Sequence, residues 1–168
     1  MKTSSFLDHL PSPPSFQYLK YQLFHESRVI QEWIGLEPLV GGQKFSIIVP
    51  LYGIPLRWMQ AAFKSIEAQS YPNWEVCVCV DGEDVSGLGK LLRDFENRQP
   101  AKLKVVQHES NKGICEATRS AMGLARGEYL VFMDGDDLLH RRALECFARA
   151  VEHEEDIDML YSDHDLMS

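Results

Sequence analysis

Several things are scarce in this sequence, and each scarcity removes a class of function. No apolar run approaches the roughly 20 residues that a membrane-spanning helix needs; the longest clean one is Val76 to Val80. Near the N-terminus Asp8, His9 and Pro11 interrupt any apolar core before a signal peptide can develop, so the cytoplasm is the expected compartment. Basic residues are outnumbered: 17 Lys and Arg stand against 25 Asp and Glu, a formal net charge of −8. Such a chain is not expected to bind nucleic acid or an anionic membrane through charge, because those partners are densely negative themselves. The four cysteines form no C-x-x-C pair, and no histidine lies at finger spacing, so no zinc site is expected. Glycine-rich phosphate loops are also missing. Gly87-Leu88-Gly89 lacks the third glycine of a dinucleotide fingerprint, and neither G-x-x-x-x-G-K-[ST] nor G-x-S-x-G occurs.

What is present is an ordinary folded composition, 45% hydrophobic and 25% charged over 168 residues, which fits one domain plus an appendage. Residues 1–42 differ from the rest. Pro11, Pro13 and Pro14 punctuate a loose arm, Phe16, Leu19, Leu23, Ile30 and Trp33 follow a helical face, and Gly41-Gly42 reads as a hinge. The expectation is a helical extension ahead of a domain spanning 44–168.

Within that domain, apolar runs at Phe45–Val49, Trp74–Val80, Leu103–Gln107, Tyr129–Met133 and Ile157–Tyr161 read as strands. Amphipathic stretches lie between them. Met59, Ala62, Phe63 and Ile66 share one helical face, as do Leu88, Leu91, Leu92 and Phe95, then Ile114, Ala117, Ala121 and Leu124, then Leu144, Phe147, Ala148 and Val151. Alternation of strand and helix implies right-handed crossovers and a mostly parallel sheet, a doubly wound α/β fold. Cys77 and Cys79 fall on one face of a strand and read as small core residues.

In a fold of this class ligands bind beyond the carboxyl ends of the strands. Those positions read Pro50-Leu51-Tyr52, then Asp81-Gly82-Glu83-Asp84, then Glu109-Ser110-Asn111-Lys112-Gly113, then Asp134-Gly135-Asp136-Asp137. One aspartate in the last group would serve as a helix N-cap. Three within four residues repel one another and favour a cation, and hard oxygen ligands suit Mg²⁺ or Mn²⁺ shared with substrate phosphates. An EF-hand fails, because Leu138 and Leu139 stand where a ligand and the turn glycine belong. A phosphatase-type D-x-D-x-[TV] fails at Leu138.

The ordered set Phe45-Ser-Ile-Ile-Val-Pro-Leu-Tyr52, Gln69-Ser-Tyr-Pro-Asn-Trp-Glu75, Asn111-Lys-Gly-Ile114, Gly127-Glu-Tyr129, Asp134-Gly-Asp-Asp137 and Tyr161-Ser-Asp163 resembles the family 2 glycosyltransferases of GT-A fold. The resemblance implies a nucleoside diphosphate sugar as donor and a divalent metal, Mn²⁺ or Mg²⁺, as cofactor. It implies that Pro50, Leu51 and Tyr52 line the nucleobase and ribose, and that Asp81 accepts a hydrogen bond from the base. Val80 stands where the family carries a further aspartate. Asn111 and Gly113 match a loop near the ribose and sugar, with Arg119 one to two turns into the helix that follows. Asp134 and Gly135 belong to the D-x-D motif as sugar or ribose contacts, Asp136 is the expected metal ligand, and Asp137 is the candidate helix cap.

The same resemblance implies an inverting displacement onto a glycan or lipid-linked acceptor, with a carboxylate base that lies downstream of Tyr161-Ser162-Asp163. The chain is therefore expected to supply the donor-binding half of a transferase, and its catalytic base is not assigned here. Apolar surface left bare by a missing acceptor half would favour self-association. Peripheral attachment at the inner face of the membrane is compatible with a lipid-linked acceptor. The alternative expectation, motivated by Val80 and the missing base, is a nucleotide-sugar-binding or interaction module without turnover.

Overall fold

In the computed structural model, residues 39, 41–82, 85–153 and 157–162 are described. They belong to a compact unit that begins at Leu39. The helix expected between Ser15 and Ile34 lies outside the described residues, as does Asp163.

Among the described residues four strands and four helices alternate: β1 (Phe45–Leu51), α1 (Leu56–Glu67), β2 (Trp74–Asp81), α2 (Leu88–Arg98), β3 (Leu103–His108), α3 (Ile114–Met122), β4 (Tyr129–Phe132) and α4 (Ala143–His153). All pairings are parallel, in the order β3-β2-β1-β4. β1 and β2 sit in the middle and are buried along their whole length, as their unbroken apolar runs require. Alternate side chains serve opposite faces of the sheet. Phe45, Ile47, Val49 and Leu51 pack with Trp74, Val76, Val78 and Val80 against Met59, Ala62, Phe63 and Ile66 of α1, Leu88 and Phe95 of α2, and Leu144 and Ala148 of α4. The other face carries Ile48, Cys77 and Cys79 against Ala117 and Ala121 of α3, where the small helix residues bring its backbone close to the sheet. Both cysteines are fully buried, as their strand periodicity predicts.

β2 carries a carboxylate at each end of the α3 face, Glu75 and Asp81, both buried. Glu75 accepts from Lys44 and Ser46 of the β1 side, pairs with Lys104 of β3 at 3.0 Å, and takes the Arg126 amide at 2.6 Å. It thus ties three strands and the turn before β4 together at the amino ends of the strands. Burial raises its pKa, but the lysines, the Ser46 hydroxyl and the Arg126 amide outweigh that and hold the carboxyl at about 2.

The expected fifth strand, Ile157–Tyr161, does not form. These residues carry no strand pairing, and Met159 and Tyr161 are almost wholly exposed. An apolar alternation becomes a strand only where a neighbouring edge supplies its hydrogen bonds, and no described strand does so here. The residues of the Gln69-to-Glu75 motif are structural. Gln69 Oε1 accepts the Leu144 amide at 3.1 Å, so this glutamine caps α4. Tyr71 Oη lies 3.0 Å from the Gly41 carbonyl and 2.9 Å from that of Gln43, and Asn73 donates to Gly42 at 2.7 Å. The Gly41-Gly42 segment, expected as a hinge, is strapped to the body of the domain at these points.

Candidate functional site

A cleft of about 260 Å³ opens over the carboxyl ends of the strands. Pro50 and Leu51 end β1 beneath it, and Tyr52 follows with 63% of its surface exposed. Asp81 comes from the end of β2, Asn111 and Gly113 from the loop after β3, and Asp134, Gly135 and Asp136 from the turn after β4. Nine of the ten expected site residues therefore meet in one cavity, although they come from four separated segments of chain. The tenth, Arg119, is outside its lining. The helical phase that buries Ala117 and Ala121 turns Arg119 outward, and its guanidinium pairs with Glu116 on the exposed face of α3. Ile54, Ile114 and Ala117 complete the wall as apolar surface that strand-end inspection did not single out.

Asp81 organises one side of the cleft. Register places it opposite His108, the last residue of β3, and the ring Nδ1 lies 2.6 Å from Asp81 Oδ1. The same oxygen accepts the Lys112 amide at 2.9 Å, and Oδ2 accepts the Gly113 amide at 2.9 Å. These amides open α3, so the carboxylate also faces the positive end of that helix. Burial pushes the Asp81 carboxyl up, but His108 and the two amides prevail and keep it below its ordinary value. It is thus an anionic acceptor at neutral pH. Gly82 must stay small beside it: a Cβ there would meet the Asn111 amide nitrogen at 2.9 Å, and its φ of +99° suits glycine.

The opposite wall is the acidic turn. Asp137 N donates to the Asp134 carbonyl at 3.1 Å and closes the turn around Gly135 and Asp136. Gly135 packs against the end of β1, where a Cβ would come within 2.3 Å of Leu51 Cδ2. None of the three aspartates caps α4, which begins only at Ala143 and is capped by Gln69; the candidate role of Asp137 as a cap is therefore replaced. Without a capping role the three carboxylates remain crowded and exposed. Partial desolvation of the carboxyl against the cleft wall first, then the charges of Asp137 and Asp136, raises the Asp134 pKa, the sign of a group that would gain from a cation. Among the described residues no three His, Cys, Asp or Glu side chains are grouped to hold a metal unaided. One or two carboxylates with the remaining positions left to phosphate and water is the donor set that Mg²⁺ and Mn²⁺ accept, so Asp134 and Asp136 fit such an ion.

Sequence reasoning missed His108 and Ser120. His108 Nε2 lies 2.8 Å from Ser120 Oγ of α3, so a chain runs from the half-buried helix serine through the buried ring to Asp81. The signal lies one residue away: His108 is itself a strand end, one position beyond the run Leu103–Gln107.

Comparison with known proteins places the chain among similar sequences and folds. The y4gI protein of Sinorhizobium fredii is 33% identical over 127 residues, covering 76% of this chain and 14% of that protein. WfgD of Escherichia coli, a UDP-Glc:alpha-D-GlcNAc-diphosphoundecaprenol beta-1,3-glucosyltransferase, is 32% identical over 100 residues, 60% of this chain and 38% of that one. Residues 1–349 of Staphylococcus aureus TarS superpose with a TM-score of 0.60 at 29% identity, over 66% of this chain and 32% of that one. The same TarS fragment has been solved with UDP and with UDP-GlcNAc. The chain thus spans well under two thirds of the length of these proteins. Among the described residues no helix is long and apolar enough to cross a membrane. The sequence profile of Glycosyl transferase family 2 matches residues 46–162, and the chain belongs to that family.

Proposed function

We propose that this chain supplies the donor-binding half of a glycosyltransferase that moves a sugar from a nucleoside diphosphate sugar to a glycan or lipid-linked acceptor. The observation that carries this reading is the convergence of Tyr52, Asp81, Asn111, Asp134 and Asp136 on one cleft beyond the strand ends. In it, Pro50, Leu51 and Tyr52 flank the nucleobase and ribose, and Asp81 accepts from a ring N–H through the lone pair that its internal donors leave free. Asn111 and Gly113 border the ribose and sugar, Asp134 and Gly135 contact sugar or ribose hydroxyls, and Asp136 is the ligand for Mn²⁺ or Mg²⁺. Bound there, such an ion supplies Lewis-acid neutralisation of the charge that gathers on the diphosphate as the sugar bond breaks. The apolar wall of Ile54, Ile114 and Ala117 keeps water from the donor's flank.

The displacement is inverting in this reading, and the base that takes the acceptor proton is not among the described residues. Residues 1–42 act as an arm and helical extension to the 44–168 domain. The protein works in the cytoplasm, where a lipid-linked acceptor would draw it to the inner face of the membrane, and it self-associates through apolar surface. A second reading, a donor-binding module without turnover, is favoured by Val80, which stands where the family carries a further aspartate and is buried in the apolar core.

Calorimetric titration of UDP, GDP and dTDP sugars, with and without Mn²⁺, tests the donor site. Binding of one nucleotide that depends on Mn²⁺ and falls at least tenfold in Asp136→Asn is expected, the charge-assisted contact being worth that much. An Asp136→Asn chain that binds as tightly as the parent would refute the metal assignment. Turnover to a free sugar or a glycosylated acceptor separates the two readings.

A further inference from the structure

We propose that Ser120 and His108 form a positioning relay that holds the Asp81 carboxylate, and through it the Lys112–Gly113 turn, in the shape the cleft requires. The inference rests on the donor-site reading for its purpose, though its geometry stands alone. Asp81 Oδ1 takes His108 Nδ1 at 2.6 Å and the Lys112 amide at 2.9 Å, while Oδ2 takes the Gly113 amide at 2.9 Å. With Asp81 ionised, Nδ1 must carry a proton. Nε2 then meets Ser120 Oγ at 2.8 Å, accepting its hydroxyl proton in the neutral ring or donating to the oxygen in the doubly protonated one. Either way the ring is held at both nitrogens and cannot flip without losing both bonds.

The relay reaches the cleft only through Asp81; neither His108 nor Ser120 is part of its wall. His108 is buried, with Cys79 Sγ 3.7 Å from Nε2 as a weak hydrogen-bond partner beneath the ring. A free carboxylate at this place could rotate and offer either oxygen. Fixed by His108, it presents Oδ1 fully occupied and leaves the spare acceptor capacity on Oδ2. The consequence is a single orientation for any ligand N–H that docks there, and a fixed path for the loop that carries Asn111 and Gly113. A buried histidine that only filled space would do neither.

The test uses the full chain and a conservative rescue. An asparagine amide can replace Nδ1–H but leaves Ser120 unpartnered; leucine fills the volume and donates nothing. Amide hydrogen exchange at Lys112 and Gly113 should quicken roughly tenfold in His108→Leu, as loss of a charge-assisted bond implies, and stay within about threefold of the parent in His108→Asn. Val49 in the centre of the sheet serves as the unaffected control. Equal exchange in parent and His108→Leu, or equal acceleration in both variants, would overturn the relay. Should His108→Leu fail to fold, Ser120→Ala against Ser120→Thr decides: faster exchange in the first and not in the second is expected, and no difference between them overturns the proposal.

UDP titration with Mn²⁺ on the same variants reads the purpose separately. Affinity about tenfold weaker in His108→Leu and restored in His108→Asn is expected. A parent chain that binds none of UDP, GDP and dTDP would overturn the donor-site reading, and the exchange experiment would still judge the relay.

Discussion

Replacing Glu75 by glutamine removes one charge at the amino ends of the strands while keeping the shape of the side chain. Its Oε1 accepts Ser46 Oγ at 2.8 Å and the Arg126 amide at 2.6 Å, and an amide oxygen can still do this. The amide nitrogen would then face Lys44 and Lys104, donor against donor, where Oε2 now accepts both. The carboxyl is held at about 2 against an ordinary 4.5. That difference is worth about 3 kcal/mol of folding stability at neutral pH. Both lysines are about one-third exposed and can swing into water, which keeps the cost near the lower end of that for a broken buried pair. The sign follows from the depressed value: the stabilisation is complete above the unfolded pKa and drains away as pH falls from 4.5 toward 2. Thermal unfolding of parent and Glu75→Gln across pH 7 to 3 should show a gap of roughly 10 °C that narrows on acidification. Glu145, held at about 2 by Arg142, Ser70 and Arg149 against the upward pull of burial, titrates alike in both chains and cancels. A gap that stays constant with pH would refute the electrostatic account.

Gly135→Ala should cost about 1–3 kcal/mol by overpacking, since the new Cβ must displace Leu51 and Ile54, and it should also weaken nucleotide binding; chemical denaturation and titration read the two effects. Asp137→Asn should raise the melting temperature slightly in metal-free buffer at pH 7, because it lowers the cost of ionising Asp134, with the gain vanishing once the carboxylates are protonated; a fall at pH 7 would contradict this. Phe95→Ala, which empties a fully buried site edge-on to Phe63 at 5.1 Å, should cost about 3–5 kcal/mol in denaturant.

The architecture was legible because its signals are local. Met59, Ala62, Phe63 and Ile66 announce a one-faced helix, and all four are buried. The runs behind β1 and β2 announce strands covered on both faces, and they are. The strand-end rule also points to nine residues that line one cleft although the sequence spreads them over 87 positions, from Pro50 to Asp136. What failed depended on partners. Ile157–Tyr161 has strand chemistry but joins no edge among the described residues, Asp137 has cap chemistry but a helix that starts too far on, and Arg119 pairs with Glu116 outside the cleft wall. Gln69 as a cap and His108 as a buried partner of Asp81 depend on contacts between distant segments, which no periodicity announces.

The strand order also sets when the cleft can exist. β1 pairs with β2 on one side, but its other side waits for β4, with Phe45 opposite Tyr129. Closing that long loop comes late, because its entropy must be met before the contacts repay it. A chain emerging from the ribosome can therefore assemble β1, β2 and β3, and with them Asp81 and its histidine, while the flank of β1 stays open. The acidic turn arrives with β4 and covers that flank as it docks. Until then the growing chain shows the bare edge of β1, a largely apolar strand, so the step that completes the pocket is also the step that covers that edge with the shorter, less buried β4.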